Sequence, residues 1–144
     1  MLHFESLGLI EAEKAIAGGI QAARALGKAM AFAVADHSGE MIATARMDGA
    51  NPRILRHSIR KAYTAALMCR HTLSFKRDLE ERNGALDQWG DANLTTLPGG
   101  LVVQSGDKFV GGVGAGGGGP DDEAVARAMV QAMGFTIIED KRAR

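Results

Sequence analysis

The sequence of 144 residues is poor in features that define several protein classes. Its single cysteine excludes an internal disulfide and a cysteine-rich zinc site. Its 17 basic and 17 acidic residues cancel, which argues against a nucleic-acid partner, since phosphates require a surplus of Lys and Arg. No apolar run approaches the roughly 20 residues of a membrane span. Residues 1–6 show no basic segment followed by an apolar stretch. We therefore expect a soluble, cytoplasmic protein without a membrane partner.

What the chain does contain is enough apolar material for one core. Hydrophobic residues make up 46% of it, which excludes a disordered protein. The length suits one domain, and no linker-like segment interrupts it. We therefore predict a single domain over 1–144, with its core at about 7–133 and a charged, solvated tail at 139–144.

Hydrophobic periodicity predicts the secondary structure. Residues 29–35 alternate strictly, with Met30, Phe32 and Val34 on one face and alanines on the other, which indicates a strand that a helix can approach closely. The predicted order is α-β-β-α-α-β-β-α, typical of an α+β fold in which helices flank an antiparallel sheet. The predicted elements are helices at 7–26 (N-cap Ser6), 53–70 (N-cap Asn51), 74–82 and 120–133, strands at 29–35, 41–47, 101–104, 108–113 and 135–138, and loops at 83–98 and 114–119.

The glycine-rich run Gly111–Gly119 invites comparison with nucleotide-binding loops, but it lacks the Gly-Lys-Ser/Thr ending of a P-loop. Too little chain follows it for a Rossmann fold. The acidic residues at 121–123 would also repel a phosphate. Two interpretations remain with equal weight: a tight turn without a ligand, or close approach of the backbone to a ligand or another subunit.

The helix at 53–70 carries polar residues among small apolar ones. Lys61 and Tyr63 lie in such surroundings, and we expect the Lys61 side chain to extend to solvent, as most lysines do. Cys69 continues an apolar stripe, which favours a small core residue over a nucleophile. Arg46, at a strand end, would either bind a carboxylate ligand or pair with Asp48 or a chain terminus.

The histidines give no metal site by spacing alone. None of His3, His37, His57 and His71 has the separation of a helical metal pair. His37, in a hairpin turn, and His71, in a loop at a helix end, are each a candidate axial ligand to haem iron. An ordinary exposed loop histidine is the competing interpretation of both.

Several segments together resemble the GlcG/HbpS family. Ala33–Gly39 and Ala45–Ala50 are similar to its "VVDxxG…RMDGA" hairpin, and Arg60–Ala66 is similar to its "RKAYTAA" helix. Leu97–Gly100 and Val110–Glu123 are similar to its "PGG…VGAIGVSGG…D" ending. The resemblance implies an antiparallel sheet flanked by helices and assembly into dimers or larger oligomers. It also implies that the chain is related to haem-binding proteins, to a domain of corrinoid adenosyltransferases and to small proteins of catabolic operons.

This chain departs from the family pattern at two positions. Members usually have another residue where His37 stands, and Pro-Thr where His71 and Thr72 stand. The segment at Trp89, which only some members share, suggests a subgroup with its own ligand.

Two functions remain open, and ligand binding is narrowly favoured. The first is binding of haem, a related tetrapyrrole or a small carboxylate in an apolar pocket with a basic rim. The aromatic content of 5% is low for a haem pocket, although seven methionines partly offset it. The candidate ligand-binding residues are Arg46, Asp48, Arg60, Lys61, Gly99, Gly100, Gly116, Gly117 and Gly118.

The alternative is an enzyme of a catabolic pathway that acts on a carboxylated intermediate by proton transfer or hydrolysis. Its candidate catalytic residues are Lys61, His57 and Tyr63, with the glycine backbone as an oxyanion site. The same glycines and the Arg60-Lys61 pair would otherwise serve an oligomer interface.

Overall fold

A computed structural model describes residues 1–139, so the predicted charged tail lies outside the described residues except for Glu139. Its helices and strands follow the predicted order, which confirms the α+β class. Two short 3₁₀ turns, at Leu86–Trp89 and Gly119–Asp121, complete the secondary structure. The elements are α1 (Leu9–Ala25), β1 (Ala31–Ala35), β2 (Met41–Arg46), α2 (Pro52–Met68), α3 (Thr72–Glu81), β3 (Gly100–Ser105), β4 (Lys108–Gly116) and α4 (Asp122–Ala132).

The strands form one antiparallel sheet in the order β2-β1-β4-β3. β1 lies between β2 and β4, and Ala33 pairs with Thr44 on one side and Gly114 on the other. The two hairpins therefore lie side by side, with β1 and β4 at the centre and β2 and β3 at the edges.

The two faces of the sheet are covered by different helices. Met30, Phe32 and Val34 pack in the main core, which also contains buried residues of α1 and α4. On the opposite face, Ala33 and Ala35 pack against Ala62 and Ala66 of α2. The alanine face of β1 thus accepts a helix at close range, as its alternation predicts.

Glycines of β4 extend that close contact across the sheet. Gly112, Gly114 and Gly116 alternate along the strand, and each lies against α2. A Cβ atom at Gly112 would lie 2.6 Å from the Ala62 carbonyl oxygen. The predicted loop at 114–119 is therefore wrong at its start, because β4 continues to Gly116. The positions of β4 that face α2 are glycines, which have no side chains. Alternation of apolar and polar side chains therefore could not predict this part of the strand.

Several predicted boundaries and placements differ from the structure. α1 begins at Leu9 after the N-cap Gly8 rather than after Ser6, and α3 begins at Thr72. Residues 135–138 form no strand; Phe135 and Ile137 instead pack against the main core. Cys69 is exposed rather than buried, because α2 ends at Met68 and Cys69 takes a left-handed conformation (φ 54°). Among the described helices, none combines the length and the apolar character needed to cross a membrane.

Candidate functional site

A cavity of about 610 Å³ lies where the first half of α2, the end of β4 and the start of α4 meet. Its walls combine apolar side chains, glycine backbone and a few ionisable groups. The lining residues are Ile54, His57, Lys61, Leu97, Pro98, Gly116, Gly117, Gly119, Pro120, Asp122 and Glu123.

A buried ion pair forms one wall of this cavity. Lys61 is only 3% exposed, so the expectation that its side chain reaches solvent is wrong. Its Nζ atom lies 3.0 Å from Asp122 Oδ2 and donates to the Ala115 carbonyl oxygen at 2.8 Å. A buried ammonium needs such partners, since desolvation would otherwise disfavour its charged form. The Lys61 charge is therefore already balanced within the chain.

Asp122 also holds the glycine loop in place. Its Oδ1 atom accepts a hydrogen bond from the Gly118 amide at 2.7 Å. Lys28 fixes the same loop from the other side, donating to the Gly118 carbonyl at 2.8 Å and pairing with Asp121 at 2.6 Å. Sequence reasoning missed Lys28 and considered Asp121 and Asp122 as acidic residues that would repel a phosphate. The position of the two aspartates directly after a glycine run was the sequence feature that could have indicated a role in holding this loop.

The glycines of the candidate set surround the ion pair, and several are required by close packing. Gly99 has φ +108°, and a Cβ atom there would lie 2.7 Å from the Ala115 carbonyl oxygen and 3.2 Å from Lys61 Nζ. Gly100 packs beneath the Lys61 backbone, and Gly117 has φ +94°. Gly116 and Gly117 line the cavity, so close approach within the chain explains part of the glycine pattern.

His57 lies on the cavity wall one helical turn before Lys61. Within residues 1–139, no hydrogen bond occupies its imidazole ring. An imidazole with no other partner is free to bind a metal centre or exchange a proton. Of the three candidate catalytic residues, the structure brings His57 and Lys61 together at this cavity.

Tyr63 lies elsewhere, at a second cavity of about 440 Å³ that Arg60 and Glu40 also line. Its hydroxyl donates to Asp91 Oδ2 at 2.6 Å. That hydrogen bond raises the pKa of Tyr63 and lowers the pKa of Asp91. Tyr63 therefore holds its proton more firmly than a free tyrosine. It also lies at a different cavity from Lys61 and His57. Asp91 was not identified from the sequence, because its 28-residue separation from Tyr63 forms no recognisable motif.

Arg46 and Asp48 are also outside the main cavity. Both side chains are exposed, and the Arg46 guanidinium donates to the Ala50 carbonyl oxygen at 2.7 Å. This bond spans the turn between β2 and α2. The predicted basic rim consists of Arg46, Arg60, Lys61 and one histidine; of these, Lys61 and His57 line the cavity, whereas Arg46 and Arg60 do not.

The two histidines proposed as haem ligands lie outside this cavity as well. His71 is buried, and both ring nitrogens are engaged: Nδ1 accepts from the Val102 amide at 3.2 Å, and Nε2 lies 2.8 Å from the Ile138 carbonyl oxygen. The His37 ring stacks on Phe4 with centroids 4.8 Å apart, and its Nδ1 atom is buried without a hydrogen-bond partner. Within residues 1–139, no cluster of three or more His, Cys, Asp and Glu side chains is arranged to hold a metal ion.

A family model described as "Haem degrading protein HbpS-like" matches residues 7–131. The chain belongs to the HbpS-like family. A crystal structure of HbpS is 30% identical, with a TM-score of 0.82 and coverage of 91% of this chain and 92% of that one. The HbpS E78D, E81D double mutant of Streptomyces reticuli is 29% identical, with a TM-score of 0.82 and coverage of 91% and 89%.

Another solved structure, a PduOC:heme complex, shares the fold of this HbpS-like chain at 21% identity. Its TM-score is 0.82, with coverage of 93% of this chain and 99% of that one. No curated protein sequence matches the chain. The family and its fold are therefore established by the family model and by solved structures.

Proposed function

We propose that this HbpS-like protein binds haem or a related tetrapyrrole in the 610 Å³ cavity, with the His57 imidazole as the iron ligand. One observation carries the proposal: an imidazole without a hydrogen bond in the described chain lies on the wall of a largely apolar cavity. Membership of a family described by haem degradation, and a haem-bound structure with the same fold, support it.

The chemistry of the cavity residues fits this group. Ile54, Leu97, Pro98 and Pro120 present apolar surface suited to a macrocycle, and imidazole is a common axial ligand of haem iron. Bound haem would supply a redox-active iron centre. The chain's own part is to bind and orient the group through His57 and to exclude water with the apolar walls.

A small carboxylate fits the same cavity less well. Lys61 already has Asp122 as its anionic partner. Glu123 adds another carboxylate to the lining, and like charges repel. A small anion would have to displace Asp122 from Lys61 before it gained a charge-assisted bond.

Proton transfer or hydrolysis also has less support than binding. A lysine that acts as a general base needs a free amine, whereas the Lys61 Nζ atom is engaged by the Asp122 carboxylate and the Ala115 carbonyl oxygen. Tyr63, the third candidate, holds its proton against Asp91 at another cavity. Of the three candidates, His57 is then the one at the main cavity whose side chain has no hydrogen-bond partner within residues 1–139.

A hemin titration followed in the Soret band tests the proposal. We expect a saturable change at one hemin per chain, and a loss of affinity of tenfold or more in His57→Ala, as for a lost ligand bond of about 1.4 kcal/mol or more. His3→Ala, at an exposed position near the N-terminus, is the matched control and keeps the wild-type affinity. Equal affinities in His57→Ala and the wild type would remove His57 from the site.

We also propose that the chain associates with further copies of itself through its N-terminal apolar side chains. Leu2, Phe4, Leu9 and Ile10 are each more than half exposed (86%, 68%, 58% and 67%). These large apolar side chains are exposed within one short segment of the chain, and exposed apolar patches mark interaction sites. Light scattering should give a mass well above 15.2 kDa, and the double variant Leu9→Ser/Ile10→Ser should lower it. A monomeric wild-type protein would contradict the proposal.

A further inference from the structure

A further cleft, distinct from the main cavity and from the one at Tyr63, lies at the C-terminal end of α2. Two small cavities there, of about 290 and 280 Å³, share Trp89 and Arg82. We call this region the Trp89 cleft, formed by Leu67, Arg70, Phe75, Asp78, Arg82 and Trp89. Leu67 lies ten residues beyond His57, which is about 15 Å along the helix axis. The two sites are therefore separate.

The cleft has an unbalanced positive charge. Asp78 Oδ2 accepts from Arg82 at 2.9 Å and lies 3.3 Å from an Arg70 guanidinium nitrogen. Two guanidinium groups thus share one carboxylate. Each guanidinium has several N–H donors, so N–H groups remain for a second carboxylate. The Arg82 side chain is 56% exposed, which leaves it accessible to a ligand.

Trp89 supplies a fixed aromatic surface beside these charges. The indole is 45% exposed and packs edge-on against the buried Phe75 ring, with centroids 5.8 Å apart and an interplanar angle of 70°. Exposed tryptophans are costly in water and are enriched at binding sites. The contact with Phe75 holds the indole beside the guanidinium groups.

We propose that the Trp89 cleft binds an aryl carboxylate, whose carboxylate pairs with Arg82 and Arg70 while its ring packs against Trp89. The anion would balance the second guanidinium, which Asp78 alone leaves uncompensated. The ring would cover indole surface and the exposed Leu67 side chain. A multiply charged anion without an apolar part would leave Trp89 exposed and meet the Asp78 carboxylate.

Intrinsic fluorescence reports on this cleft directly, because Trp89 is the only tryptophan in the sequence. Benzoate is the probe, and benzamide is its uncharged counterpart of similar shape. Under tryptophan-selective excitation, we expect benzoate to change the emission saturably below about 10 mM, and benzamide to have little effect. No saturable change with benzoate, or an equal change with benzamide, would overturn the proposal.

Matched arginine variants assign the effect to the cleft. Arg82→Gln should weaken benzoate binding about tenfold or more, as for a lost charge-assisted hydrogen bond, while Arg82→Lys should lose less. Arg24→Gln changes an exposed arginine on α1, across the sheet, and should keep the wild-type affinity. Circular dichroism checks that each variant folds. Equal weakening in Arg24→Gln, or unchanged binding in Arg82→Gln, would contradict the assignment.

Discussion

Lys61 is a residue whose environment in the structure differs from the solvent-exposed one that the sequence predicts. Most lysines extend to solvent, and its small apolar neighbours gave no reason to expect an anionic partner. That partner, Asp122, lies 61 positions later in the chain, at the start of α4. No local spacing rule connects two residues that only tertiary packing brings together. The pair links α2 to α4 and so helps to shape the main cavity.

Replacing Lys61 should lower the free energy of unfolding, because it leaves a largely buried carboxylate unpaired. Lys61→Met leaves the Asp122 carboxylate, whose side chain is 14% exposed, without its counter-charge. We expect a loss of about 3 kcal/mol in the free energy of unfolding, measured by urea denaturation.

Two further variants separate the ion pair from general disruption. In Lys61→Met/Asp122→Asn the buried charge is gone, and at least about 1 kcal/mol should be recovered. Lys28→Met breaks the more exposed pair with Asp121 and should cost less than about 1 kcal/mol. If Lys61→Met and Lys28→Met cost the same, burial is not what makes the Lys61 pair important.

The Tyr63–Asp91 bond predicts a pH dependence with a definite sign. The bond lowers the pKa of Asp91, so its stabilisation is present above the unfolded-state pKa and is lost as the pH falls through the folded-state pKa. It raises the pKa of Tyr63, so that contribution is lost as the pH rises through the folded-state pKa of the tyrosine.

Tyr63→Phe tests this by removing the bond without changing the ring. The difference in unfolding free energy between wild type and variant should be largest near neutral pH and shrink towards both extremes. Urea denaturation across the pH range measures it. A difference independent of pH would contradict the coupling between the Tyr63 hydroxyl and the Asp91 carboxylate.

At the scale of elements, α2 and β4 show which sequence patterns are informative. The strict alternation of residues 29–35 predicted β1 and the close contact of its alanine face with a helix, and both are confirmed. The glycine run was ambiguous because glycines fit both a loop and a strand under a closely packed helix. Similarly, His71 could not be placed from the sequence, since its partners Val102 and Ile138 are 31 and 67 positions away.

Gly114→Ala tests the close contact between α2 and β4. An added Cβ atom would collide with the Ser58 carbonyl oxygen and lie 2.8 Å from the Ala62 nitrogen, both backbone atoms of α2. We expect a loss of about 3 kcal/mol or more in the free energy of unfolding. Gly8→Ala is the control, because its Cβ atom would meet only Glu11 at 3.4 Å. A Gly114→Ala protein as stable as Gly8→Ala would contradict the packing described.

At the scale of the whole molecule, the main cavity lies where segments distant in sequence converge. α2, the end of β4 and the start of α4 each supply part of its wall. The family motifs were enough to predict the fold and to indicate haem as a candidate ligand. They could not show which histidine faces a cavity, because that depends on how α2 is rotated against the sheet. The structure places His57, rather than His37 or His71, on the wall of this cavity.

Hydrogen exchange with and without hemin tests the location of the ligand most directly. If haem binds in this cavity, hemin should slow exchange in two segments that line it, 54–61 of α2 and 116–123 at the glycine loop and the start of α4. The hairpin turn around His37 should be unchanged. Protection confined to residues 36–40, or no protection at either cavity segment, would contradict the assignment of haem to this cavity.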